Sequence, residues 1–170
     1  TDGAGTVAEM TLAEIKTLDA GRWFGPGYAG LAVPTLDEVF EAVAGRLLVN
    51  VEIKSLSLEA DGTETAVAAC IERHDMTSHV VISSFNPLAL IRFRQIMPQV
   101  PLGYLYAEGM PAIPDEIRAQ MSYEASHPHH EMLDAASVQA LRESGQRIHT
   151  WTVNDAARAL ALRDMGVDII

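Results

Sequence analysis

The sequence has little of what marks membrane proteins, disulfide-bonded domains and nucleic-acid binders. Among 170 residues there is one cysteine, and only 6% are aromatic. No run of about eighteen apolar residues occurs, so we expect no membrane span. Twelve basic and 23 acidic residues leave a net charge of −11, which repels phosphate backbones, so we expect no nucleic-acid partner. The lone Cys70 cannot close an internal disulfide, which favours the cytoplasm and leaves a periplasmic or secreted location open.

The residues that are present suit a globular domain, since 48% of them are hydrophobic. Both ends of the sequence read as cut. The chain opens without Met in a Gly-rich polar stretch, and residues 166–170 read as the start of a buried strand with nothing after it. We therefore expect 1–170 to be a single partial domain that lacks N-terminal strands and the end of the last strand, with some catalytic groups outside it.

Strand-like and helix-like segments alternate along the chain. Runs rich in Val, Ile and aromatics predict six strands: 47–54, 79–85, 100–106, 121–126, 147–153 and 167–170. Helix starts are predicted between them from capping boxes and N-cap residues: Thr11 with Glu14, Thr35 with Glu38, Asn86 before Pro87, Asp134 and Asn154. This alternation indicates parallel βα units, in which helices cover a parallel sheet.

Two architectures contain such units. A doubly wound sheet would carry a Gly-rich phosphate loop after an early strand, and neither GxGxxG nor GxxxxGK[ST] occurs. A TIM (β/α)8 barrel needs about 250 residues and eight strands. Six strands in a chain with cut ends therefore favour an α/β fold of this second kind, a truncated TIM barrel with about six of its eight strands.

The segment Val49–Lys54 is the most informative part of the sequence. Side chains alternate across a strand, so its apolar residues share one face and Asn50, Glu52 and Lys54 share the other. In a barrel the polar row points inward, near the carboxyl ends of the strands where active sites are built. Glu52 and Lys54 are therefore candidates for a hard-metal ligand and an anion contact. A half-exposed edge strand with one wet face explains the pattern equally well.

Other polar and aromatic residues follow the remaining strands. Backbone capping is the simpler explanation for Asn86 and Asn154, and Trp151 fits either a pocket or the core. The spacing of His127, His129 and His130 fits no established zinc motif, although His127 alone is a candidate pocket residue. We assign no catalytic role to the remaining histidines or the cysteine. His74, His79 and His149 are interpreted as solvated or capping groups, and Cys70 as a small core residue.

A family resemblance rests on several short motifs in order. They are Glu52-Ile53-Lys54, the segment 33–39, Ser83-Ser84-Phe85, Trp151-Thr152-Val153-Asn154, Gly166-Val167-Asp168 and the opening segment 1–7. Each is weak alone, but together they cover nearly the whole chain and resemble the glycerophosphodiester phosphodiesterase family. The resemblance implies a TIM barrel that binds a divalent cation, Ca²⁺ or Mg²⁺, and hydrolyses a small glycerophosphodiester to sn-glycerol 3-phosphate and an alcohol.

The same resemblance implies roles for particular residues. Glu52 would be a metal ligand, Lys54 would contact the phosphate, and Phe85, His127 and Trp151 would line the substrate pocket. The family's early His-Arg-Gly, Glu-x-Asp and His-Asp motifs do not occur in these 170 residues. The general acid and base histidines and two metal carboxylates are thus missing, and we expect the chain alone to be inactive. The sequence indicates no oligomeric state.

Two other functions are compatible with these residues. A catalytically silent barrel could bind a phosphorylated ligand or a protein partner at the same mouth, because a fold hosts many functions. An aldolase-like barrel could use Lys54 as a Schiff-base lysine.

Overall fold

The computed structural model describes residues 1–55 and 57–170. These residues divide into two compact units, 1–44 and 45–170. In the described part of the chain, no helix is both long enough and apolar enough to cross a bilayer.

The first unit consists of short helices and a tight loop. Helix α1 (Leu12–Lys16) and helix α2 (Leu36–Val43) each begin with a capping box. The Thr11 and Thr35 hydroxyls accept from the backbone three residues on, and a glutamate bonds back, as the sequence predicts. Two 3₁₀ turns complete the unit, Val7–Glu9 and Pro26–Tyr28.

The second unit is built on a parallel five-stranded sheet. Its strands are β1 (Val49–Glu52), β2 (Val80–Ser84), β3 (Leu102–Tyr106), β4 (Ala125–Pro128) and β5 (Arg147–Ile148). They lie side by side in chain order, and every neighbouring pair is parallel. Sequential parallel strands joined by helices are the arrangement of a (β/α) barrel wall.

Helices connect the strands and cover one face of the sheet. They are α3 (Thr63–Arg73), α4 (Pro87–Ile96), α5 (Asp115–Arg118), α6 (Ala135–Glu143) and α7 (Ala156–Met165). The helix-facing side forms the core, where Ile82, Leu102 and Ile148 are fully buried. Ile148 packs in one cluster with Val138 of α6 and Leu162 of α7. The opposite face of the sheet is left to line a cavity.

Several predictions about these elements need correction. Strand β4 covers Ala125–Pro128 rather than 121–126, and β5 ends at Ile148 rather than at 153. Residues 167–170 do not form a sixth strand; Ile169 makes an isolated parallel bridge to His149. The N-cap of α7 is Asp155 rather than Asn154, and its carboxylate accepts from Arg158 N at 2.7 Å. A charged acceptor at this position also interacts favourably with the helix dipole, which explains why the helix begins one residue later than predicted.

Candidate active site

A cavity of about 730 Å³ opens on the face of the sheet opposite the helices. It extends to the carboxyl ends of β1 and β2, because it reaches Lys54 and Phe85 immediately beyond those strands. Five residues singled out from the sequence line it: Glu52, Lys54, Phe85, His127 and Trp151. Residues separated by a hundred positions in the chain thus meet at one concave surface, as ligand sites in barrels require.

The polar row of β1 faces this cavity. Asn50, Glu52 and Lys54 line it, whereas Ile53 is buried on the helix side. Strand β1 is also an edge strand of the described sheet. The accessible face of this strand is thus a wall of the cavity.

Glu52 and Lys54 form an ion pair within the cavity. The Lys54 ammonium donates to Glu52 Oε1 at 2.8 Å, and 28% of the Glu52 side chain and 77% of the Lys54 side chain are exposed. A pair this open to solvent adds little to stability. Its significance lies in the two charges it offers, since a cation can bind the carboxylate while an anion binds the ammonium.

His127 lies deep in the cavity wall, 3% exposed. Burial, together with the nearby His149, lowers the pKa of His127 to about 4. The ring is therefore neutral at pH 7. Its Nε2 has no hydrogen-bond partner among the described residues. The ring lies over Gly103, where a Cβ would approach Nε2 to 2.1 Å. Only glycine at 103 leaves room for this orientation.

His149 is the cavity residue whose position the sequence interpretation got wrong. It is half-buried rather than solvated, and its ring lies 4.6 Å from that of His127 between centroids. Burial lowers the pKa of His149 as well. The parallel register pairs Ser126 with Ile148 and so brings His127 beside His149. Residues two apart in a strand share a face, so the candidate pocket residue Trp151 was the sequence signal that could have placed His149 on the inner face.

Two aromatic side chains stand at the rim. The rings of Phe85 and Trp151 meet edge to face with centroids 5.3 Å apart. The Trp151 indole donates from Nε1 to the His127 carbonyl at 2.8 Å, which fixes the ring against β4. An apolar rim that is partly held by hydrogen bonds can cover the carbon atoms of a bound ligand and exclude water from its polar end.

The donor set tests whether a divalent cation fits here. Glu52 supplies a hard, ionised oxygen ligand of the type that Ca²⁺ and Mg²⁺ prefer, and Asn50 places an amide in the same row of the cavity. Ca²⁺ takes about six to eight oxygen ligands, and Mg²⁺ takes about six in octahedral geometry. The described cavity residues are therefore suited to one side of such a site and do not complete it.

Comparison with known sequences assigns the family. The model of the glycerophosphoryl diester phosphodiesterase family matches residues 1–170. A glycerophosphodiester phosphodiesterase from Caldanaerobacter subterraneus subsp. tengcongensis is 34% identical over 99% of this chain and 69% of its own length. One from Bacillus subtilis is 32% identical over 98% of this chain, which spans 62% of that relative.

Solved structures agree. An Oleispira antarctica phosphodiesterase, solved in complex with the product sn-glycerol-3-phosphate, superimposes with a TM-score of 0.79 at 28% identity, over 99% of this chain and 69% of that one. A glycerophosphodiester phosphodiesterase from Agrobacterium tumefaciens gives a TM-score of 0.77 at 26% identity, over 99% and 71%. The fold is that of a TIM-barrel protein, present in part, and the class is that of the phosphoric diester hydrolases. The chain belongs to the glycerophosphoryl diester phosphodiesterase family.

Proposed function

We propose that this chain forms part of the active site of an enzyme that hydrolyses glycerophosphodiesters to sn-glycerol 3-phosphate and an alcohol, with the help of a divalent metal. The observation that carries the proposal is the convergence of Glu52, Lys54, Phe85, His127 and Trp151 on one cavity. Enzymes of this family generally depend on a divalent metal. The single cysteine and the family assignment are both compatible with the cytoplasm, which we retain as the proposed location.

Each described residue has a task in this reaction. Lys54 places a positive charge where the phosphoryl oxygens carry negative charge, and this charge is worth most in the transition state, when charge accumulates on those oxygens. Glu52 would hold the metal, which supplies further neutralisation of the phosphoryl group when bound. We assign Ca²⁺ or Mg²⁺ to the site because Glu52 is a hard oxygen ligand.

The ion pair between Glu52 and Lys54 suits these tasks. The two side chains neutralise each other at 2.8 Å. A metal cation that binds Glu52 leaves the Lys54 ammonium available for the phosphodiester anion. Binding of the cation and binding of the anion should therefore favour each other.

Phe85, Trp151 and His127 would bind the rest of the substrate. The two aromatic rings at the rim can pack on the glycerol carbons, while the neutral imidazole of His127 offers a hydrogen-bonding nitrogen without adding charge. Proton transfer is assigned to histidines outside these 170 residues, on the family resemblance alone. We also propose that residues 1–170 belong to one catalytic domain, since the family model spans both compact units.

The structure gives no support to an aldolase. A Schiff-base lysine acts from a desolvated site or beside another cation. Lys54 is 77% exposed and lies against a carboxylate. This arrangement suits contact with an anion.

The test is an activity assay on the intact protein that contains this chain. It should release glycerol 3-phosphate from glycerophosphocholine or glycerophosphoethanolamine, lose that activity in excess EDTA, and regain it when Ca²⁺ or Mg²⁺ is added back. Activity that persists in EDTA would exclude the metal from the proposal. An intact protein that binds glycerol 3-phosphate and never turns over the diesters would instead be a silent binding barrel.

A further inference from the structure

The backbone around Lys54 is held on both sides by side chains from the end of β2. The Ser84 hydroxyl donates to the carbonyl of Ile53, the residue before Lys54, at 2.7 Å. The Asn86 amide donates from Nδ2 to the carbonyls of Ser55 and Ser57, each at 3.0 Å. Lys54 therefore lies between the carbonyls of Ile53 and Ser55, which both accept hydrogen bonds from side chains at and just beyond the end of β2.

The two clamping side chains are themselves linked. The backbone N–H of Asn86 donates to the Ser84 hydroxyl oxygen at 3.0 Å. Ser84 is fully buried. A buried hydroxyl that both donates and accepts has a single orientation, since reversing it would leave a carbonyl and an N–H unpaired. The clamp is thus rigid where it touches the Ile53 carbonyl.

The Lys54 side chain has little other support. It is 77% exposed, and among residues 1–55 and 57–170 its ammonium bonds only to Glu52. A long flexible side chain with one contact loses much entropy when it is fixed. The backbone at 53–55 therefore sets the position from which the side chain reaches a ligand.

Asn86 has one function more than capping. Its Oδ1 accepts from Leu88 N at 3.0 Å and caps α4, as the sequence predicts. The Nδ2 group of the same amide takes no part in the cap and donates to the loop after β1. The chemistry requires an amide, because a carboxylate could cap the helix equally well but would repel the two carbonyl oxygens.

We propose that Ser84 and Asn86 are positioning residues, which hold the backbone carbonyls of the residues before and after Lys54 so that its ammonium meets the phosphoryl oxygens of the substrate. This inference rests on the role proposed for Lys54 above. It predicts that damage to the clamp acts through Lys54, chiefly on turnover, since a misplacement of about 1 Å at a reacting centre can cost up to about a hundredfold.

The experiment is a double-mutant cycle in the intact protein. Asn86→Asp keeps the cap and removes the donors to Ser55 and Ser57; Ser84→Ala removes the bond to Ile53 and brings no charge. Each is made in the wild-type and in the Lys54→Ala background, and kcat and KM are measured with a glycerophosphodiester. We expect each change to lower kcat by about tenfold or more with Lys54 present, and by less than about twofold with Lys54 absent.

Ser126→Ala is the matched control. Ser126 lies in β4 and is almost as deeply buried as Ser84, and its hydroxyl donates to Gln146 Oε1 at 3.2 Å. It should lose thermal stability like Ser84→Ala and keep its kcat. A tenfold loss that persists in the Lys54→Ala background, or no loss in either background, would overturn the positioning role. Full activity in Lys54→Ala alone would overturn the role proposed for Lys54 instead. If Asn86→Asp does not fold, Ser84→Ala decides by the same criteria.

Discussion

Glu52 and Lys54 are two residues apart on one face of β1, yet their substitution should have different consequences. Glu52 is proposed to hold a cation, whereas Lys54 is proposed to contact the ester. Each side chain lines the cavity and is accessible from it. At the scale of single residues, metal affinity and turnover should therefore be separable.

We expect Glu52→Gln to weaken metal binding by about tenfold or more, because the amide lacks the carboxylate's charge. Lys54→Ala should leave metal affinity within a few fold and lower kcat/KM by about a hundredfold, which corresponds to about 2.7 kcal/mol of transition-state stabilisation. Calorimetric titration with Ca²⁺ or Mg²⁺ separates the effects. Equal metal affinity in Glu52→Gln and the wild type would contradict the assignment of Glu52 as a ligand.

The close contact between Gly103 and the His127 ring leads to a second prediction for a single residue. Gly103→Ala places a Cβ within 2.1 Å of His127 Nε2 and 2.5 Å of Cε1, so the buried ring must move. Overpacking of this kind costs about 1–3 kcal/mol of folding free energy. Urea unfolding should show that loss, and product affinity should fall with it. Gly27→Ala, where a Cβ meets nothing within 4 Å, should have neither effect.

At the scale of elements, the loop between α1 and α2 is organised by Asp19. Its Oδ1 accepts from Gly21 N at 2.9 Å and Arg22 N at 2.8 Å, and its Oδ2 accepts from Gly30 N at 2.7 Å. These bonds, led by the one from Gly30, lower the pKa of Asp19 to about 2. One carboxylate thus joins the two ends of the loop 19–30, because it accepts hydrogen bonds from backbone N–H groups at both ends.

Asp19→Asn should open this loop, because the amide keeps one acceptor and turns an N–H₂ donor towards backbone N–H groups. Limited proteolysis should cleave within 19–31 more rapidly than in the wild type. Asp115→Asn, at an aspartate whose side chain is 99% exposed, is the control and should leave the cleavage pattern unchanged. Equal cleavage rates in Asp19→Asn and the wild type would mean that other contacts hold the loop.

The elements also show what can be read from sequence. Alternation in Val49–Lys54 predicted which side chains of β1 share the cavity, and the capping boxes predicted where α1 and α2 begin. Both patterns are local. The second role of Asn86 depends on carbonyls about thirty residues away, and the room for His127 depends on a glycine in another strand. No local pattern carries such information, since it arises only when the strands come into register.

At the scale of the whole molecule, ionisable groups divide into two sets that respond to acid at different pH. His127 and His149 have lowered pKa values because they are buried. Asp19, Asp61 and Asp134 have lowered pKa values because backbone N–H groups donate to their carboxylates. The histidines must stay neutral and the carboxylates must stay charged for the fold to be stable.

Acid should therefore destabilise the protein in two stages. Unfolded histidines take up protons below about pH 6.5, whereas His127 in the folded protein stays neutral until about pH 4. The unfolded state therefore binds more protons in that interval, and the free energy of unfolding falls as the pH drops through it. The His127 contribution is about 3 kcal/mol, fully lost by about pH 4. The carboxylates follow the same rule at lower pH: they stabilise the fold above about pH 4, and that stabilisation is lost as the pH falls towards 2.

Chemical denaturation from pH 8 to pH 3 measures both stages. The wild type should lose stability already between pH 6.5 and pH 4.5, and His127→Gln should lose less there, because glutamine does not titrate. Below pH 4 the two proteins should decline in parallel, since the aspartates are common to both. If His127→Gln retained the whole loss above pH 4.5, other groups such as His149 would account for that loss, and the contribution assigned to His127 would be wrong.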